Sequence, residues 1–157
     1  MAENLIISDG DKCNKYSVLY EQIKSLTDGE DDLIANMANI SSMIHQTFGF
    51  WWTGFYRVSG AELVLGPFQG PLACSRIPFG RGVCGTAWKE AATVIVPDVD
   101  AFPGHIACSS ASRSEIVVPV FDSQGSITAV LDIDSSELDT FDETDGFWLE
   151  KIVSLLK

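Results

Sequence analysis

Basic residues are scarce in this chain: ten Lys and Arg stand against 22 Asp and Glu over 157 residues, a formal net charge of −12. Complexes with nucleic acid or anionic headgroups draw their attraction from basic side chains, so neither partner is expected. Long apolar runs are missing too. The best stretches, 127–131 and 152–156, fall far short of the roughly 20 residues a bilayer crossing needs. The first residues, Met1-Ala2-Glu3-Asn4-Leu5, offer no basic patch and no sustained apolar stretch, so no signal peptide is expected and the chain is placed in the cytoplasm. Cysteine is sparse as well. Cys13, Cys74, Cys84 and Cys108 would be a thin disulfide framework for this length, and in a reducing compartment they are thiols available for packing, metal binding or redox chemistry.

What is present is a large apolar fraction, 46%, with only 20% charged residues, which marks a chain that folds into one domain. Residues 1–14 read as an arm and 15–157 as the domain. Apolar residues recur at Tyr16, Leu19, Ile23 and Leu26, then at Leu33, Met37, Ile40 and Ile44, so two amphipathic helices come first. The period then shortens. Trp51 to Val58 and Glu62 to Leu65 flank a Ser59-Gly60 turn as a β-hairpin, a short run follows around Ala73 to Ile77, and Thr86 to Glu90 makes a short helix. Thr93 to Val96, Glu115 to Phe121 and Ser126 to Ile133 are further strands, with a long loop from Asp98 to Ser112. A last helix starts near Asp142, a good cap, with Phe147, Trp148, Ile152, Val153 and Leu156 on its apolar stripe. This order predicts an α+β fold, a central antiparallel sheet of about six strands with helices on one face, and loops forming a pocket on the other.

Strand alternation puts Trp52, Gly54 and Tyr56 on one face of their strand and Asp132 and Asp134 on one face of theirs. Paired carboxylates can bind an ammonium group or share a proton. Glu115 opens an apolar strand, Ile116 to Val120, and is a candidate general acid with a raised pKa. Three cysteines sit in glycine-, proline- or serine-rich surroundings of the central third. Together with His105 they could compose a Cys3His metal set, but structural zinc sites draw on close pairs such as C-x-x-C, and no resident metal or cofactor is expected. His45 reads as a helix-end residue.

The stretches Leu65-Gly66-Pro67-Phe68-Gln69-Gly70, Ala73-Cys74, Arg76-Ile77-Pro78, Gly80 to Ala87, Gly104 to Cys108 and Ser112 to Val117 resemble the free methionine-R-sulfoxide reductases, which are single GAF domains. Trp52 to Tyr56 and Val130 to Ser135 extend the resemblance over most of the chain. The three cysteines are its specific part, because an ordinary GAF domain lacks them. Ser109-Ser110 and Trp51 depart from the family pattern. The resemblance implies reduction of free methionine (R)-sulfoxide, with Cys108 as nucleophile, Cys74 as main resolving thiol and Cys84 as a second. It further implies Glu115, Asp132 and Asp134 as substrate-binding and proton-handling carboxylates and Trp52 and Tyr56 as walls around the substrate methyl. A thioredoxin-like dithiol as reductant and a homodimer are expected on the same ground. The alternative reading is a non-catalytic GAF sensor of a small ligand. Carboxylates around Cys108 would raise its pKa, leaving Arg113, His105, a helix terminus or the substrate itself to activate it.

Overall fold

The computed structural model describes residues 4–107 and 110–156. Strands β1 (Trp52–Ser59), β2 (Glu62–Gln69), β3 (Arg76–Pro78), β4 (Val94–Val96), β5 (Ser114–Phe121) and β6 (Ile127–Ser135) form one antiparallel sheet in the order β3-β2-β1-β6-β5-β4. Helices α1 (Lys12–Thr27), α2 (Leu33–Phe48), α3 (Gly82–Glu90) and α4 (Glu143–Val153) complete the described elements, with a 3-10 turn at Val99–Ala101. No described helix is long and apolar enough to cross a membrane.

Side-chain alternation divides the interior in two. Phe55, Ile116, Val118, Val120, Leu131 and Ile133 point to one face, where Tyr16, Leu19 and Ile23 of α1, Met37, Ile40 and Ile44 of α2 and Leu149 and Ile152 of α4 cover them. On the opposite face Trp52, Tyr56, Val117 and Val130 meet Val83, Cys84 and Ala87 of α3 together with Val96 and Val99. Helices therefore occupy one face as expected, and the other is covered by loops plus the short helix α3.

Local chemistry explains the helix ends. Asp11, Asp32 and Asp142 each accept a backbone N–H from the first turn of α1, α2 and α4, and Gly49 closes α2 in the left-handed region at φ 66°. Asp142 and Asp145 form a capping box, and Asp145 does more. Buried at 1% exposure, it accepts from Tyr16 Oη at 2.5 Å and from Lys12 Nζ at 2.7 Å, which clips α1 onto α4.

Two expectations change. The short helix begins at Gly82, so Cys84 lies in its first turn and not in a loop. Gly82 enters with φ +62°, and Gly85 lets α3 approach the turn before it, since a Cβ there would stand 2.9 Å from Pro78 O. Phe147 is 59% exposed, and Leu149 takes the buried place on the α4 stripe.

Candidate functional site

The register of the central strands builds the site. In β6 against β5, Asp134 pairs with Glu115 and Asp132 with Val117; in β6 against β1, Asp134 pairs with Trp52 and Asp132 with Gly54. Because these residues share the face that α3 covers, three carboxyl groups and one indole converge at one end of the sheet. Tyr56, two residues beyond Gly54, extends the aromatic wall. The pocket they floor is lined also by Cys84 and Val83 of α3, by His105, Ile106 and Ser112 from the 98–112 loop, and by Leu72, Ala73 and Arg81 at the rim. The space open to a water-sized sphere inside it is about 50 Å³.

The aromatic wall is held from three sides. Trp52 stacks on Phe68 at 5.2 Å between ring centroids and on Tyr56 at 5.9 Å, and its Nε1 donates to Pro71 O at 3.1 Å. Gly54 is required beneath it: a Cβ there would stand 2.7 Å from Trp52 Cη2 and would run into Phe68 Cβ. Tyr56 Oη donates to Cys74 O at 2.9 Å, tying the loop that carries Cys74 to the wall.

The carboxyl groups are perturbed in one direction. Glu115 and Asp132 are 5% and 6% exposed. Burial, reinforced by the Asp134 charge and opposed by a hydrogen bond with Asp132, pushes Glu115 up to about 8. Burial and the neighbouring Glu115 likewise hold Asp132 well above the usual carboxylate range, and burial and Asp132 do the same to Asp134. Three carboxyl groups this close cannot all ionise, so the cluster retains a proton near neutrality. Ser112 Oγ donates to Asp134 Oδ1 at 2.9 Å, and His105 Nε2 stands 3.6 Å from Glu115 Oε1. Asp132 Oδ1 is buried with no hydrogen-bond partner among the described residues. Burial pushes the Cys84 thiol well up as well, with Asp132 and Glu115 adding to it.

Of the residues singled out in the sequence, Trp52, Tyr56, Cys84, Glu115, Asp132 and Asp134 all line this pocket. Cys74 is next to Ala73 at its rim, and Cys108 lies outside the described residues. The Cys3His set weighed from the sequence includes Cys108 and so lies partly outside the described residues. Ser112, Phe68 and Ile106 were not singled out for the site. Ser112 belongs to the Ser112-Arg113-Ser114-Glu115 run, whose alternation into β5 was the available signal; Phe68 pairs with Gly54 across the hairpin, where a strand-interior glycine is the signal.

A six-stranded antiparallel sheet with helices on one face and a small-molecule pocket on the other defines a GAF domain, and residues 28–156 match the GAF domain family. Among related proteins, GAF domain-containing protein A of Dictyostelium discoideum is 55% identical over 157 residues, 99% of each chain. The free methionine-R-sulfoxide reductase of Saccharomyces cerevisiae is 42% identical over 154 residues, 91% of this chain and 86% of its own. The X-ray structure of free methionine-R-sulfoxide reductase from Neisseria meningitidis, in complex with its substrate, superposes with a TM-score of 0.94 at 52% identity, covering 97% of this chain and 92% of that one. The chain belongs to the free methionine-R-sulfoxide reductase family of GAF proteins.

Proposed function

We propose that this protein reduces free methionine (R)-sulfoxide to methionine in the cytoplasm. The observation that carries the reading is the meeting of a proton-holding carboxyl cluster with an aromatic wall in one pocket. A free amino acid brings an ammonium group, which Asp132 and Asp134 are suited to pair with. Its S-methyl group fits against Trp52 and Tyr56. Glu115, protonated near neutrality, is the donor for the departing oxygen. The Saccharomyces cerevisiae and Neisseria meningitidis relatives carry this activity in their names.

In the reaction, the Cys108 thiolate attacks the sulfoxide sulfur while Glu115 passes its proton to the oxygen. The protonated oxygen then passes to the Cys108 sulfur as the substrate S–O bond and the transient sulfur–sulfur bond break, so that methionine leaves reduced by two electrons and Cys108, oxidised by two, becomes a sulfenic acid. That Ile106 and Ser112, which flank Cys108 in the sequence, line the pocket supports this assignment. The Cys74 thiol then condenses with the sulfenic acid, releasing water and forming a disulfide that an external thioredoxin-like dithiol reduces by exchange. Cys74 is disulfide-bonded whereas Cys84 is a buried free thiol, which supports Cys74 as the main resolving residue and Cys84 as a reserve. The active form is proposed to be a homodimer.

Incubation with both sulfoxide epimers of free methionine and a small dithiol tests the reading. Selective consumption of the R epimer is expected. Consumption of neither epimer would return the chain to the class of small-ligand sensors.

A further inference from the structure

Cys84 Sγ and one carboxyl oxygen each from Glu115 and Asp132 all lie within 4.8 Å of one another, and all three residues are buried. One carboxyl oxygen of Asp132 is thus within reach of both Glu115 and Cys84. Its other polar feature is unusual: Oδ1 is buried without a partner among the described residues, on a side chain 6% exposed that lines the pocket. A buried carboxylate oxygen left unpaired carries an uncompensated desolvation cost, and a ligand that coordinates it removes that cost. One thiolate and two carboxylates converging on a point, with the pocket supplying an open fourth direction, is a donor set for a borderline-soft divalent ion in three-ligand tetrahedral geometry.

From this juxtaposition we propose that Cys84, Glu115 and Asp132 form a binding site for a thiophilic divalent cation of the Zn2+ and Cd2+ class. This donor set differs from the three cysteines and His105 weighed from the sequence, and it is drawn from α3 and two adjacent strands of the sheet. Binding displaces the Cys84 proton and the proton held between the carboxyl groups to solvent, leaving a site that carries three negative charges against the ion's two. His105 Nε2, 3.6 Å from Glu115 Oε1, is a further nitrogen within reach of the site, and water fills the open position otherwise. A bound ion takes carboxylates assigned above to the substrate ammonium, so it inhibits turnover competitively. That consequence rests on the reductase reading; the site itself rests on the donor atoms alone, and its test reads the metal.

The protein is kept free of reductant, so that Cys13 and Cys84 are the free thiols among the described residues. It is titrated with Cd2+ while the ultraviolet sulfur-to-cadmium charge-transfer band is followed. One saturable band is expected, retained in Cys13→Ser, absent in Cys84→Ser, and shifted to about tenfold or more higher Cd2+ concentration in Asp132→Asn. Absence of a band in the parent protein overturns the proposal. So does a band that survives Cys84→Ser, or one that saturates at the parent concentration in both Asp132→Asn and Glu115→Gln, which would leave the thiol as the sole ligand.

Discussion

Glu115 and Asp134 stand directly opposite each other across β5 and β6, two acidic side chains in register at the floor of one pocket. Like charges opposite one another destabilise a sheet, and here burial withholds the water that would screen them. The arrangement is tolerated because Glu115 keeps its proton up to about 8.

A stability profile follows from that shift. The Glu115 carboxyl titrates at 4.5 in an unfolded chain and at about 8 in the folded one, so between these values the folded state holds a proton the unfolded state has lost. The contribution is fully present below the unfolded value and drains away as pH rises through the folded value. Asp132 and Asp134, also raised, act in the same sense. Melting temperature should therefore fall from about pH 5 to about pH 8.5, and Glu115→Gln should flatten the slope. A parent and variant with parallel profiles would contradict the assignment of the proton to Glu115.

Kinetics separate the three acids. Asp132→Asn and Asp134→Asn remove ammonium partners and should raise KM about tenfold or more, with smaller effects on the rate at saturation. Glu115→Gln removes the donor and should slow the single-turnover release of methionine by about 100-fold or more. If Glu115→Gln attacks as fast as the parent at every pH while an aspartate variant loses rate, the roles are reversed.

Gly54 is set by packing and not by backbone conformation. Its Cβ would collide with Phe68 and push Trp52 off its stack. Gly54→Ala should destabilise the fold by about 1–3 kcal/mol and raise KM through the displaced indole. Denaturant unfolding and steady-state rates check both, and an unchanged KM would show that Trp52 does not set the substrate's position.

The clip between α1 and α4 has its own signature. Asp145→Ala leaves Tyr16 Oη buried without its acceptor and removes half of a capping box, so a loss of about 2–4 kcal/mol is expected from unfolding in denaturant. The clip lies on the helix face of the sheet, so the KM of the surviving folded fraction should not change.

How far the sequence could be read depends on the kind of order involved. Alternation with period 2 was enough to put Trp52 with Tyr56 and Asp132 with Asp134, because a strand leaves each residue only two directions. Cross-strand register is a different matter: that Asp134 faces both Glu115 and Trp52 depends on pairings between segments far apart in the chain, which no local pattern carries. Gly80, Gly82 and Gly85 read as breakers, so the pattern starts the short helix at Thr86 and leaves Cys84 outside it. Gly85 is there for close contact with Pro78 and Gly80, a demand that only the folded turn reveals. Phe147 carried the hydrophobicity of a core residue, yet α4 turns Leu149 inward and leaves Phe147 at the surface. The His105 to Glu115 approach comes from an irregular loop, where sequence spacing has no periodicity to exploit.

The proposed reaction fixes one stoichiometry. Fully reduced protein, freed of its reductant, is mixed with excess free methionine (R)-sulfoxide; methionine released and thiols lost are counted together. A burst of one methionine per chain with the loss of two thiols is predicted, and Cys108→Ser should give neither. Methionine release undiminished in Cys108→Ser, or thiol loss with no methionine formed, would contradict it.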